Sequence, residues 1–238
     1  MKDLNITNNR LAGREANDID HNAECERFNE IALKHIGKVD DEYKKAVESA
    51  VTVKYAAGGT LHRGYFCPSP VLDIIVGNNK RGSIRKSSKG ATYKYYFDKE
   101  GRIIAVDTIG ISKEVIFHSD GGSLGLSFDI EGEMNLIVEC RYSNKFIVEY
   151  TEAEYWEHDK DVNFYYKQSY EYLDGKLNSV ETYDFMPEMN LLQHNKYIFT
   201  HDKKGYLSTY KVIEYEDGEI KKGFWDDTIF KVYVKRKA

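Results

Sequence analysis

"YYFDKEGRIIAV", Tyr95 to Val106, decides the fold. Aromatic residues precede an Asp-Lys-Glu-Gly break and an aliphatic run follows it, the pattern of one β-hairpin. Asp98 and Glu100 belong to the turn, and Gly101 supplies the positive φ that a tight hairpin loop needs. Tyr95 and Phe97, two apart, fall on one face of the sheet. Looser copies of the unit recur as "SFDIEGEM" around Gly132, "YEYLDGKL" around Gly175, "YIFTHDKKGYL" around Gly205 and "IEYEDGEI" around Gly218. Their spacing is irregular, which predicts a stack of hairpins forming one extended twisted sheet and not a strict solenoid.

Working outward, strand-like runs such as "EVIFH", "LIVEC", "KFIVEYT", "NFYYKQSYEYL", "SVETYDF" and "IFKVYVK" follow one another with turn signals between them. Short connections permit only antiparallel pairing, because a parallel crossover needs a dozen or more residues. The first sixty residues follow a helical period instead. Phe28, Ile31, Ala32, His35 and Ile36 form one stripe, with Asn17, Asp18 or Asp20 as cap and Gly37 as stop. Tyr43, Ala46, Val47, Ala50 and Val51 form a second behind Asp40, ended by Gly58-Gly59. "VLDIIV" (Val71 to Val76) predicts a short buried strand closed by Gly77-Asn78-Asn79, and Lys80 to Gly90 a polar connector. The predicted fold class is therefore α+β: an N-terminal helical hairpin (residues 1–60) packing on an extended antiparallel sheet of successive β-hairpins (residues 61–238).

Residues 95–122 also resemble the tyrosine-aspartate (YD, or Rhs-type) hairpin repeat. Tyr95, Phe97, Asp98, Gly101, Arg102 and Ile103 match its first half, and Phe117 with Asp120 its second; the later copies keep the turn and lack the Gly-Arg. The resemblance implies kinship with hairpin-repeat proteins found around bacterial polymorphic toxins, among which small acidic cytoplasmic immunity proteins are common.

Composition narrows the class of function. A chain of 238 residues that is 41% hydrophobic can bury a core without metals or disulfides. Cys25, Cys67 and Cys140 are odd in number and form no CxxC pair, as expected of reduced thiols in a cytoplasmic protein. The polar opening "MKDLNITNNRLAGREANDID" reads as no secretory leader, and an uninterrupted apolar run of membrane-spanning length is missing. A net charge of −5 disfavours nucleic acid as a partner and suits a basic protein.

The leading candidate site is "EYTEAEYWEHDKD", Glu149 to Asp161. Glu149, Glu152, Glu154, Glu157, Asp159 and Asp161 oppose Lys160 alone, a balance equal to that of the whole chain. Tyr155 and Trp156 among these carboxylates suggest aromatic anchors ringed by charges for a partner's Lys and Arg. A second surface is a row of tyrosines, Tyr166, Tyr170 and Tyr172, on one face of a strand whose other face carries Tyr165.

Other motifs fall short of chemistry. His158 beside Glu154, Glu157 and Asp159 lacks metal-ligand spacing, the basic stretch from Lys80 to Lys89 lacks the glycines of a phosphate loop, "SIRK" lacks the companions of an SxxK site, and "DGGSLG" (Asp120 to Gly125) opens no helix. No cofactor or metal is expected. The expectation is a non-enzymatic binding module, an immunity-type protein that occludes a cognate toxin domain. The alternatives are glycan or cell-surface binding through exposed tyrosines, and an enzyme whose carboxylates meet only in three dimensions.

Overall fold

The computed structural model describes residues 19–77, 80–221, 228–234 and 236. Asn17, Asp18, Asn78 and Asn79 lie outside them. The hairpin that anchors the sequence reading is present: β3 (Tyr93–Phe97) and β4 (Ile103–Thr108) pair antiparallel with Tyr95 opposite Val106. Asp98 holds its turn, accepting the Arg102 backbone N–H on Oδ1 at 2.8 Å and the Gly101 N–H on its carbonyl at 3.1 Å. Gly101 sits at φ 77°, where an ordinary residue is strained by roughly 1–2 kcal/mol. Asp129 and Asp202 repeat the device, each accepting the N–H four residues on, with Gly132 and Gly205 at positive φ. Beside each of these turns the ladder slips by one residue, which lets an odd loop rejoin a regular pair. Gly175 and Gly218 instead close two-residue turns with Asp174 and Asp217, all four residues at positive φ, the turn geometry whose twist matches the strands.

These turns string β5 (Ser112–Ser119), β6 (Gly122–Asp129), β7 (Met134–Ser143), β8 (Phe146–Trp156), β9 (Asp161–Leu173), β10 (Lys176–Met186), β11 (Leu191–His201), β12 (Leu207–Glu216) and β13 (Glu219–Ile220) into one antiparallel sheet in sequence order. A short β14 (Phe230–Lys231) pairs with β12. The other margin breaks that order. β1 (Thr52–Ala57) lies between β3 and β2 (Ser83–Arg85), antiparallel to both. So the sheet begins inside the segment expected to be helical, and the expected polar connector contributes a strand: the alternation in "TVKYAA" is too brief to show against the helical stripe before it.

The helical hairpin is α1 (His21–His35) and α2 (Val39–Ser49). Asp20 is the cap of α1, accepting the Ala23 N–H at 3.0 Å, and Gly37 turns the chain at φ 75°. Asp40 is not the cap of α2; it lies in the first turn, where its negative charge complements the positive end of the helix dipole and pairs with Lys44. Ala50 and Val51 fall beyond the helix, and the Val51 N–H already bonds the Phe97 carbonyl. Helix α1 crosses β7 to β9 and α2 crosses β4 and β5. Phe28, Ala32 and Tyr43 bury themselves against Leu126, Phe128, Ile137, Tyr155 and Tyr165.

The opposite face is covered by residues 58–77, an irregular strap. It contains a 3-10 turn (Gly64–Phe66) and a single helical turn α3 (Leu72–Ile75), so "VLDIIV" is not the expected strand. Leu61, Cys67, Val71, Leu72 and Ile74 pack on Val138, Tyr150, Tyr166, Tyr170 and Val180, while Phe66 meets Tyr95 and Phe97. Cys25, Cys67 and Cys140 are free and buried, and burial pushes the Cys25 and Cys67 thiols up to about 12. Among the described residues no helix is long and apolar enough to cross a membrane.

Candidate protein-docking site

Strand alternation divides the acidic-aromatic segment. Along β8, Glu149, Thr151, Ala153 and Tyr155 point toward the helices, and Tyr150, Glu152, Glu154 and Trp156 toward the strap side. Tyr155 is therefore core, its ring fully buried against Val162 and Met134 in the helix-side cluster; it is not a partner anchor. Glu149 is engaged within the fold by Arg141 at 3.0 Å and Lys167 at 2.9 Å. Glu152 accepts the Tyr150 hydroxyl. Glu154 is exposed, yet desolvation and the neighbouring Glu152 hold its carboxyl above the ordinary range. Asp161 Oδ1 accepts the Asn29 amide of α1 at 2.6 Å, which makes it a docking point for the helix.

The tyrosines separate in the same way. Tyr166, Tyr170 and Tyr172 share a face opposite Tyr165, as alternation requires. Tyr166 and Tyr170 are only 7% exposed, covered by the strap and bridged by Gln168, whose Nε2 donates to the Tyr166 hydroxyl at 2.7 Å and whose Oε1 accepts from Tyr170. Tyr172 alone is half-buried, its ring 4.7 Å from that of Phe146. The expected open row of three is thus one half-covered ring, which removes the surface a sugar would stack on.

What remains accessible is the β8–β9 turn. Trp156 is 51% exposed and stacks on His158 at 5.7 Å, with Asp159 3.1 Å from the imidazole. Glu157 reaches across to accept the Met134 backbone N–H at 2.7 Å, joining this turn to the one between β6 and β7. Because the hairpins alternate, the turns at 109–111, 130–133, 157–160, 187–190 and 217–218 all lie at the same end of the strands. Each carries or adjoins an exposed apolar side chain: Ile111, Ile130, Trp156, Met189 and Ile220 are all more than half exposed. These turns hold Glu131, Glu133, Glu157, Asp159, Glu188 and Asp217 against Lys160. At the other end, the turns at 98–102, 120–121, 144–145, 174–175 and 202–206 are balanced, five carboxylates to five cations, and many of the carboxylates are engaged in the turns themselves.

Sequence reading found Trp156, Glu157 and Asp159 but missed Ile130, Glu131, Glu188 and Met189. An apolar residue placed inside a turn, as in "DIEG" and "PEMN", was the available signal, since the turn itself has no use for it.

On the strap side beyond the strap, Glu152, Tyr166 and Asp184 stand in one row across β8 to β10. Burial pushes the Asp184 carboxyl up to about 6. His194 is sandwiched in β11 between Tyr183 at 4.4 Å and Tyr215 at 4.3 Å. Among the described residues no three His, Cys, Asp or Glu side chains gather to hold a metal ion. No family model matches the sequence, and no curated protein matches it.

Proposed function

We propose that the protein is a non-enzymatic binding module that docks a basic protein against the acidic end of its sheet, as an immunity-type protein would occlude a toxin domain. The observation that carries this reading is Trp156: a large ring left half exposed at a turn whose neighbours are carboxylates and further apolar tips. Interfaces concentrate their energy in such aromatic anchors, and surrounding charge of one sign steers the opposite sign into contact. The likeness of Tyr95 to Asp120 to hairpin repeats around polymorphic toxins supports the same reading. The row Trp156, Glu157 and Asp159 is retained from the sequence-based site; Tyr155, Tyr166 and Tyr170 contribute as scaffold.

The test titrates the full chain against a basic toxin-type domain, sought first in the reading frame adjacent to its own. Trp156→Ala is expected to weaken the complex by about 2 kcal/mol or more. The triple change Glu131→Lys, Asp159→Lys, Glu188→Lys is expected to slow association and flatten its salt dependence. A complex indifferent to both sets, or the lack of any complex with that domain, overturns the proposal.

A further inference from the structure

At the opposite, charge-balanced end of the strands, a cleft of about 590 Å³ opens between the strap and the sheet. Its existence follows from strand lengths. The β5–β6 hairpin stops at Asp120-Gly121, with Gly122 opposite Arg141, whereas the β7–β8 hairpin runs on to Asn144-Lys145. The overhanging hairpin forms one wall, the strap another, and the glycines of "DGGSLG" place no side chain in the gap. Farther in, Gly125 lets the Arg63–Glu114 ion pair lie directly on the sheet: a Cβ there would stand 2.1 Å from Glu114 Oε1 and 2.3 Å from Arg63 Nη2.

The lining has two parts. Phe66, Ile103 and Ile116 present an apolar wall, Ile116 being 4% exposed. Arg63, Arg102 and Lys145 supply positive charge, and among the described residues no carboxylate lines the cleft. Arg63 is 6% exposed and already matched by Glu114 at 2.6 Å, and Arg102 is held by Asp98 at 2.7 Å. Lys145 differs: among the described residues it has no ion-pair partner. A cleft that is apolar within and carries an unmatched ammonium at its mouth complements a ligand of the same two parts.

We infer that this cleft binds a small organic anion, a carboxylate or phosphate monoester on an aliphatic or aromatic body, with the body against Ile103, Ile116 and Phe66 and the charged head at Lys145. The cleft lies at the far end of the strands from Trp156, so the two assignments stand or fall separately.

The probes are 4-phenylbutyrate and phenyl phosphate, with 4-phenylbutanol and 4-phenylbutylamine as neutral and cationic counterparts, each titrated into the full chain by calorimetry and by amide chemical shifts. At least one anion is expected to bind about tenfold more tightly than the alcohol, the gain of one charge-assisted contact, and the amine more weakly than either. Which anion binds tighter identifies the head group. Lys145→Glu, in an exposed turn, is expected to abolish the preference for the anion without moving the thermal midpoint, and Ile103→Trp to block all four probes. Equal affinity for acid and alcohol, an anion affinity unmoved by Lys145→Glu, shifts centred away from Ile103 and Ile116, or no binding of any probe at about 10 mM overturns the inference.

Discussion

The two faces of the sheet are covered by different means. On one, α1 and α2 satisfy their own peptide hydrogen bonds, so an apolar stripe does most of the packing: Phe28 and Ala32 are fully buried there, and side-chain contacts such as Asn29–Asp161 and Arg27–Glu139 pin the edge. On the other, the strap is irregular and brings unpaired carbonyls down onto the sheet. Side chains must meet them. The Tyr93 hydroxyl donates to the Leu61 carbonyl at 3.1 Å and the Tyr95 hydroxyl to that of Arg63 at 3.0 Å. Arg81 donates to the carbonyls of Cys67 and Ser69, and Arg236 pairs with Asp73 at 2.7 Å while reaching the Pro70 carbonyl. The regular cover leaves no backbone group to satisfy, whereas the irregular one, which buries Leu61 and Val71 as well, needs polar partners for its carbonyls.

The largest test of that contrast sets Glu114→Ala against Phe28→Ala in urea unfolding. Each is expected to destabilise by about 3–5 kcal/mol, the first by stranding a buried guanidinium, the second by opening a cavity. The difference lies in rescue. Adding Arg63→Met to Glu114→Leu is expected to recover most of the loss, because an apolar pair replaces a buried ion pair well. If it recovers nothing, the loss does not come from the stranded guanidinium. Acid sharpens the point: Arg63 and His62 hold the Glu114 carboxyl down at about 2 against the penalty of burial, so its contribution is present above the ordinary carboxylate range and lost as pH falls toward 2.

Asp184 gives the opposite sign on the same side of the sheet. Burial raises its folded pKa to about 6, so the folded state holds a proton that the unfolded state has released, and stability falls as pH rises from about 4 to 6. Asp184→Asn is expected to stabilise by about 1–2 kcal/mol at pH 7, after allowance for its partial exposure, and to have no effect below pH 4. Thermal melts across that range decide it; a gain that persists at low pH assigns the effect to packing. The smallest expected change is on the helix side, where Asp20→Ala removes the cap of α1 and costs about 1 kcal/mol.

The helices and hairpins were legible because each carries its own period or turn chemistry within a few residues. The strap was not. "VLDIIV" is an apolar run that serves equally as a buried strand or a helical turn, and the polar groups that hold the turn lie outside it: Ser69 Oγ accepts the Leu72 N–H at 3.1 Å, and Arg81 and Arg236 pair with Asp73. The site was half legible for a related reason. Alternation separates Tyr165 from Tyr166, Tyr170 and Tyr172 in the sequence alone, but which face is sealed depends on the cover above it, and no period in residues 58–77 marks them as the strap that seals Tyr166 and Tyr170.

The insertion of β1 between β3 and β2 leaves the strap as a closed loop whose ends are fixed by strand pairing. The entropy of such a loop grows only with the logarithm of its length, about 0.6 kcal/mol per doubling. The hairpin turns have no such latitude, since Asp98, Asp129 and Asp202 each count four residues to the N–H they accept. Length variation is therefore cheapest between the tethers of the strap, over one face of the sheet and beside its cleft, while the turns of Asp98, Asp129 and Asp202 stay fixed in register.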